Sequence, residues 1–176
     1  MKFVCIVVLF ASFSVFSSEL ILKQNGKIIN KIDIVSIKSG QFSSNGKFIG
    51  SLDKTLFNAW RGYERTYRGY SFYELLDVIY GENWRKAKTI SFYALDGYKQ
   101  VANISKMIRS SHGKPGYLSY TETGKKGFSK FKRKNKIVDP GPLYLVWSNF
   151  SESDKASHGD TLKWPYQLKT IEIKTE

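Results

Sequence analysis

Past residue 5 this chain contains no cysteine, and that absence governs what can hold it together. No disulfide can staple it, and neither a thiolate nucleophile nor a thiolate-ligated metal centre can be built from the residues that follow. Stability has to come from packing, for which a chain of 176 residues is long enough. The apolar stock includes 12 Phe, 11 Tyr and 4 Trp. Such side chains fit a half-buried pleated surface, so a β-rich core is expected.

Cys5 itself lies in a segment with the marks of a secretory signal. Met1-Lys2 supplies a positive start, and Phe3 to Phe16 is an apolar run broken only by Ser12 and Ser14. Val15 and Ser17 stand at the −3 and −1 positions of a signal-peptidase site. The run is shorter than the ~20 residues a spanning helix needs, and it lacks the polar face of an amphipathic helix. Cys5 is too near the start to serve as a lipobox cysteine. The expectation is a signal over residues 1–17 and a single domain over 18–176, free in the periplasm or secreted, with no transmembrane anchor. Lys2 is the only charge that leaves with the signal, so the formal charge of +13 falls by one and the domain stays strongly basic.

Local patterns then suggest elements. Leu20 to Ile29 reads as two strands around Asn25-Gly26. A further β segment is expected through Ile32, Ile34, Val35 and Ile37, and a loop or frayed hairpin over residues 39–50. Leu52 to Tyr70 carries no clean signal. Ser71-Phe72-Tyr73-Glu74 has the form of a capping box ahead of Phe72, Leu75, Leu76 and Ile79 at helical spacing, with Gly81 as the stop. Thr89–Leu95 reads as a strand closed by Asp96-Gly97, and Ser105–Ser110 as a short helical turn. Leu143–Trp147 and Leu168–Ile173 read as further strands. The fold class expected is one mixed, β-dominated α+β domain.

The chemistry-bearing residues are few. His112 and His158 each precede a glycine in a loop, where they serve either as ligands and general acid–bases or as solvated side chains. Gly-x-Ser-x-Gly, P-loop, GxGxxG and paired-histidine zinc patterns are missing, which argues against an ordinary hydrolase or nucleotide enzyme. Lys125, Lys126, Lys130, Lys132, Arg133, Lys134 and Lys136 form a basic run with no acid among them, interleaved by Phe128 and Phe131. Such a run is a docking surface for an acidic partner, a site for anionic lipid or polymer, or a solvated hairpin that keeps the chain soluble. Export removes nucleic acid as a partner. Tyr144, Trp147, Trp164 and Tyr166 either line a ligand cleft or fill the core.

Four stretches in order, Tyr67–Asp77, Ile90–Tyr98, Asp139–Trp147 and Trp164–Ile173, together resemble the oxidoreductase molybdopterin-binding domain, the fold of sulfite oxidases. The resemblance covers roughly residues 60–174. It implies that fold, and it places Arg68, Asp96, Gly97, Tyr98, Gly141 and Pro142 at family positions. Gly69 and Gly97 are expected at turns. Arg68 is the best of these for gripping an anion, since a guanidinium binds phosphate or carboxylate bidentately. Arg68, Asp96, Tyr98, His112 and Trp147 are the candidate cofactor-binding residues.

The Trp164-Pro165-Tyr166-Gln167 form is similar to a small exported branch associated with c-type cytochromes. Catalytic members of the family hold molybdenum through a cysteine thiolate, which the mature chain lacks, so no metal ligand is assigned. Cofactor-loaded members are exported folded behind a twin-arginine signal, and Met1-Lys2-Phe3 contains no arginine pair. The expectation is therefore a non-catalytic, accessory or binding subunit of a periplasmic redox system, its Lys125–Lys136 surface meeting an acidic protein such as a cytochrome. The alternatives are an active molybdopterin-dependent oxidoreductase with a non-cysteine metal shell, or a secreted binder of anionic polymer or lipid.

Overall fold

A computed structural model describes residues 19–58, 61–112, 114–147 and 161–175. The expected signal segment and His158 lie outside the described residues.

The chain forms two principal sheets. Strands β1 (Glu19–Gln24) and β2 (Lys27–Asp33) are joined by Asn25-Gly26 at φ of 49° and 82°. Two successive positive φ values make the mirror-image turn whose twist matches that of antiparallel strands, which is why Asn-Gly sits there. β1 also pairs in parallel with the last strand, β13 (Leu168–Lys174), and β13 pairs with β7 (Thr89–Ala94), itself joined to β8 (Lys99–Asn103). The resulting order is β2-β1-β13-β7-β8. The second sheet is antiparallel, in the order β12-β9-β6-β5, from β5 (Leu52–Asn58), β6 (Tyr63–Ser71), β9 (Gly116–Glu122) and β12 (Tyr144–Trp147). Two small ribbons complete the strands: β3 (Gln41–Ser44) with β4 (Lys47–Gly50), and β10 (Phe131–Arg133) with β11 (Lys136–Val138). The architecture is β-rich mixed α+β, as the aromatic content suggested.

Helix α2 (Phe72–Tyr80) packs between the sheets. Phe72, Leu75, Leu76, Val78 and Ile79 are buried, and Gly81 at φ 69° ends the helix. Phe72, fully buried, stands 5.8 Å from the Phe92 ring of one sheet and 6.1 Å from Trp147 of the other. One side chain thus ties both sheets to the helix, which is the usual layered solution for elements with one apolar face each.

Several expectations are corrected. Ile34–Lys38 is a helix, α1, and not a strand: the Asp33 carboxylate accepts from Val35 N at 2.6 Å, and Ile34 and Ile37, three apart, turn inward while Val35 is 76% exposed. Ser71 makes no side-chain cap bond, because β6 runs up to it and its side chain is buried beside β9. The unassigned stretch from Leu52 is the β5–β6 hairpin, and residues 41–50 form the β3–β4 hairpin around Asn45-Gly46. The short turn near Ser105 is helix α3 (Ile104–Ser110), capped by Asn103.

Gly69 lies inside β6, at a register shift against β9, and not at a turn. A Cβ there would stand 2.4 Å from Leu118 O and 2.6 Å from Ser119 Cα, so the bare backbone is what lets the two strands close. Gly97, by contrast, does occupy the β7–β8 turn, at φ 83°.

The sheets meet where β12 begins. Leu145 N donates to Pro165 O at 3.0 Å, Leu168 N to Leu143 O at 3.0 Å, and Gln167 N to Pro140 O at 2.8 Å. A bridge pairs Tyr144 with Tyr166, and the Gly141–Pro142 peptide is cis. This zipper fixes Trp164-Pro165-Tyr166 against the start of β12. Among the described residues no helix is long and apolar enough to cross a membrane.

Candidate functional site

Beside that zipper opens a cleft of about 320 Å³ lined by Arg61, Tyr98, Arg133, Tyr144, Lys163, Trp164, Pro165 and Tyr166. Its walls come from the β5–β6 turn, the β7–β8 turn, the β10–β11 ribbon and the segment leading into β13. Arg61 is set by its turn, in which Arg61 N and Gly62 N both donate to Asn58 O, at 3.0 and 2.8 Å. Its guanidinium lies 3.3 Å from the centroid of Phe131, a cation–π contact at van der Waals distance. Arg133 donates to Tyr166 Oη, and Phe131 meets the Tyr166 ring edge-on at 5.5 Å. Phe131 therefore holds both walls at once.

The floor is aromatic. Tyr144 stands 5.8 Å from Trp164, 5.8 Å from Phe128 and 6.0 Å from Tyr67, each near-perpendicular, the arrangement that ring quadrupoles favour. Tyr144 Oη accepts from Asn58 Nδ2 at 3.3 Å. Burial pushes the Tyr144 and Tyr67 phenols well above their ordinary range, with neighbouring phenols adding to the effect. Both stay protonated at neutral pH, so neither serves as a base. Two buried donors in this cluster have no partner among the described residues, Tyr67 Oη and Trp164 Nε1.

No described residue lining the cleft is acidic, and neither Arg61 nor Arg133 is ion-paired to a described carboxylate. The donor set of guanidinium, ammonium, phenol and indole suits an oxyanion. It does not suit molybdenum held through a thiolate, and among the described residues no group of three or more His, Cys, Asp or Glu gathers to hold a metal.

A buried carboxylate fixes the segment that leads into the ribbon. Glu122, at the end of β9, accepts from Arg65 Nη1 and Lys125 Nζ at 2.7 Å, and from Ser129 N and Oγ at 2.9 and 2.7 Å. Burial pushes its carboxyl up, but the bonds from Lys125 and Ser129 and the Arg65 charge outweigh that and hold it below the usual glutamate range.

The expected site residues divide clearly. Tyr98 and Arg133 line the cleft, together with Tyr144, Trp164 and Tyr166. Asp96 lies in an adjoining recess that shares Arg133 and Tyr166, and its carboxylate accepts from Tyr98 N at 3.0 Å. Arg68 is exposed on β6 and committed to Asp53, with Nε and Nη2 each 2.7 Å from a carboxylate oxygen. His112 is an exposed residue after α3, at φ 50°. Trp147 is 1% exposed and packs on Phe72 and Tyr73, a core position from which Nε1 donates to Lys163 O at 3.1 Å. Arg68, His112 and Trp147 are not brought to the cleft.

In the basic run, Lys125 is consumed by Glu122. Lys126 borders a separate recess with Asp33 and Asp139, and Lys130, Lys132, Lys134 and Lys136 are exposed. Sequence reading did not single out Arg61 or Lys163. The only local hint was a basic residue next to aromatics in Trp60-Arg61-Gly62-Tyr63 and Lys163-Trp164-Pro165-Tyr166. The chain matches no protein-family model and no curated protein.

Proposed function

We propose that this chain is an exported, non-catalytic binding domain of sulfite-oxidase-like fold, an accessory subunit of a periplasmic redox system that engages an acidic protein partner such as a c-type cytochrome. The observation that carries the reading is the β10–β11 ribbon, which holds Lys132, Arg133, Lys134 and Lys136 exposed within a few residues of one another beside a cleft with no acidic lining among the described residues. Clustered like charge of this kind raises the rate at which an oppositely charged surface finds the protein. The fold assignment rests on the four family-like stretches, which form the approach to α2, the strand β7 with its Asp-Gly turn, the strand β12, and the segment running through β13. The enzyme alternative needs molybdenum held without a thiolate.

The binding reading is tested with the mature protein and an acidic c-type cytochrome at low ionic strength. Lys132→Glu, Lys134→Glu and Lys136→Glu together are expected to abolish binding, since three reversals turn attraction into repulsion. Binding unchanged at low salt removes the ribbon from the interface. Elemental analysis for molybdenum and fluorescence of released pterin, on protein from its own periplasm, are expected to find neither. About one of each per chain would make it an enzyme instead.

A further inference from the structure

The basic ribbon explains attraction but not selectivity, because exposed lysines act through a field that any anionic surface satisfies. The cleft beside it is built differently. Arg61 is held from two sides, by its turn and by the Phe131 ring at 3.3 Å. Arg133 reaches the cleft from the ribbon and donates to the Tyr166 hydroxyl. The backbone of Lys163, on the opposite wall, is fixed by the Trp147 Nε1 bond to its carbonyl. A guanidinium already stacked on a ring loses little freedom when it grips a carboxylate, which is the condition for a strong contact. Beside it Trp164, 7% exposed, buries an indole N–H that has no acceptor among the described residues.

The size and surroundings of the cleft indicate what enters it. At about 320 Å³ it lies at the lower end of the roughly 300–1,000 Å³ typical of ligand sites, so it encloses a side chain more readily than a large cofactor. It is continuous with the recess formed by Asp96 and the β10–β11 ribbon, which shares Arg133 and Tyr166 with it. That second surface carries Ile137, 68% exposed, and Tyr98 on the cleft is 36% exposed. A free anion would fill the cleft and leave this apolar margin uncovered, whereas a protein surface covers both.

We infer that the cleft between Arg61 and Arg133 is a socket for one acidic side chain of a protein partner, with Tyr98 and Ile137 receiving an apolar neighbour of that acid. The inference rests on the reading that the chain binds an acidic protein, and it names the point at which that binding becomes selective. Arginine, tryptophan and tyrosine in a pocket ringed by weaker contacts are the composition in which interface energy concentrates.

The test uses the mature protein and a fluorescein-labelled peptide of alternating glutamate and leucine, followed by anisotropy at low ionic strength. Arg61→Gln and Arg133→Gln each remove one charge from the socket, while Lys130→Gln and Lys136→Gln each remove one from the surrounding field. The socket predicts a loss of about 10-fold or more for each of the first two and about 2-fold for the last two, a tenfold loss being ~1.4 kcal/mol. Arg61→Lys keeps the charge but not the planar fork, and is also expected to weaken binding several-fold. Urea unfolding of each variant separates lost binding from lost fold. Equal losses across all four glutamine variants would overturn the socket and leave the basic ribbon as a binding surface. Displacement of the peptide by acetate or inorganic phosphate at micromolar concentration would overturn it in favour of a free-anion site. If neither the peptide nor an acidic cytochrome binds, the broader reading fails with it.

Discussion

Glu122→Gln is the sharpest test of how the cleft is held together. The side chain keeps its shape and loses its charge, and one of the two acceptor oxygens becomes a donor facing other donors. Four bonds are affected, from Arg65, from Lys125 and twice from Ser129. Lys125 is 52% exposed, so its share is small. Arg65 is 25% exposed and Glu122 only 4%, so that pair behaves more like a buried one. Hydrogen bonds to a charged group are worth roughly 1.5–3 kcal/mol, and breaking a buried pair costs about 3–5 kcal/mol. Partial hydration of Arg65 puts the expected loss at the low end, about 3 kcal/mol. For a chain of this size that lowers Tm by roughly 6–12 °C.

The same carboxylate carries a pH signature. Its folded pKa is depressed below the ordinary 4.5, so its contribution is full above that value and is lost as pH falls through the lower, folded value. The wild type should therefore lose stability between about pH 5 and 3 more steeply than Glu122→Gln. Urea unfolding followed by tryptophan fluorescence at pH 7, 5, 4 and 3 measures both effects. A loss below about 1 kcal/mol at pH 7, or parallel acid profiles for the two proteins, would refute the account.

Two further substitutions probe the fold and the cleft floor. Tyr67→Phe removes a buried hydroxyl with no partner among the described residues, whereas Tyr144→Phe strips the acceptor from Asn58. Thermal unfolding should show the first neutral to slightly stabilising and the second costing about 1–2 kcal/mol; the reverse order would mean that Tyr67 is satisfied in solution. Gly69→Ala forces a Cβ to within 2.4 Å of a backbone oxygen of β9, which no rotamer relieves. It should cost about 3 kcal/mol or prevent folding, and a variant within about 0.5 kcal/mol of wild type would show that the β6–β9 spacing can relax.

Where local chemistry decides local conformation, the sequence was sufficient. Asn25-Gly26 specifies a turn because both residues tolerate positive φ, and the helix around Leu75, Leu76 and Ile79 follows from apolar residues recurring on one face. The strands beginning near Thr89, Tyr144 and Leu168 were readable from β-branched and aromatic runs, as was the β-rich class. The missing cysteines dictated a packed core at once.

What the tertiary structure decided are matters between distant segments. The pairing of β1 with β13 joins the two ends of the described chain, and a strand's own pattern says which face is buried but not which neighbour lies beside it. Gly69 looked like a turn glycine because the backbone that demands it, at Leu118, belongs to another strand. Arg61 lay in the one stretch without a clear pattern, and Lys163 looked like any lysine beside aromatics. Their charges converge only because the zipper of β12 with residues 165–168 brings three loops and one ribbon to the same edge. Arg68 had the stronger sequence claim to an anion and spends its guanidinium on Asp53, since β5 and β6 pair Asp53 directly across from it. Charge and residue type are written in the sequence, while the company each charge keeps is set by the packing of the sheets.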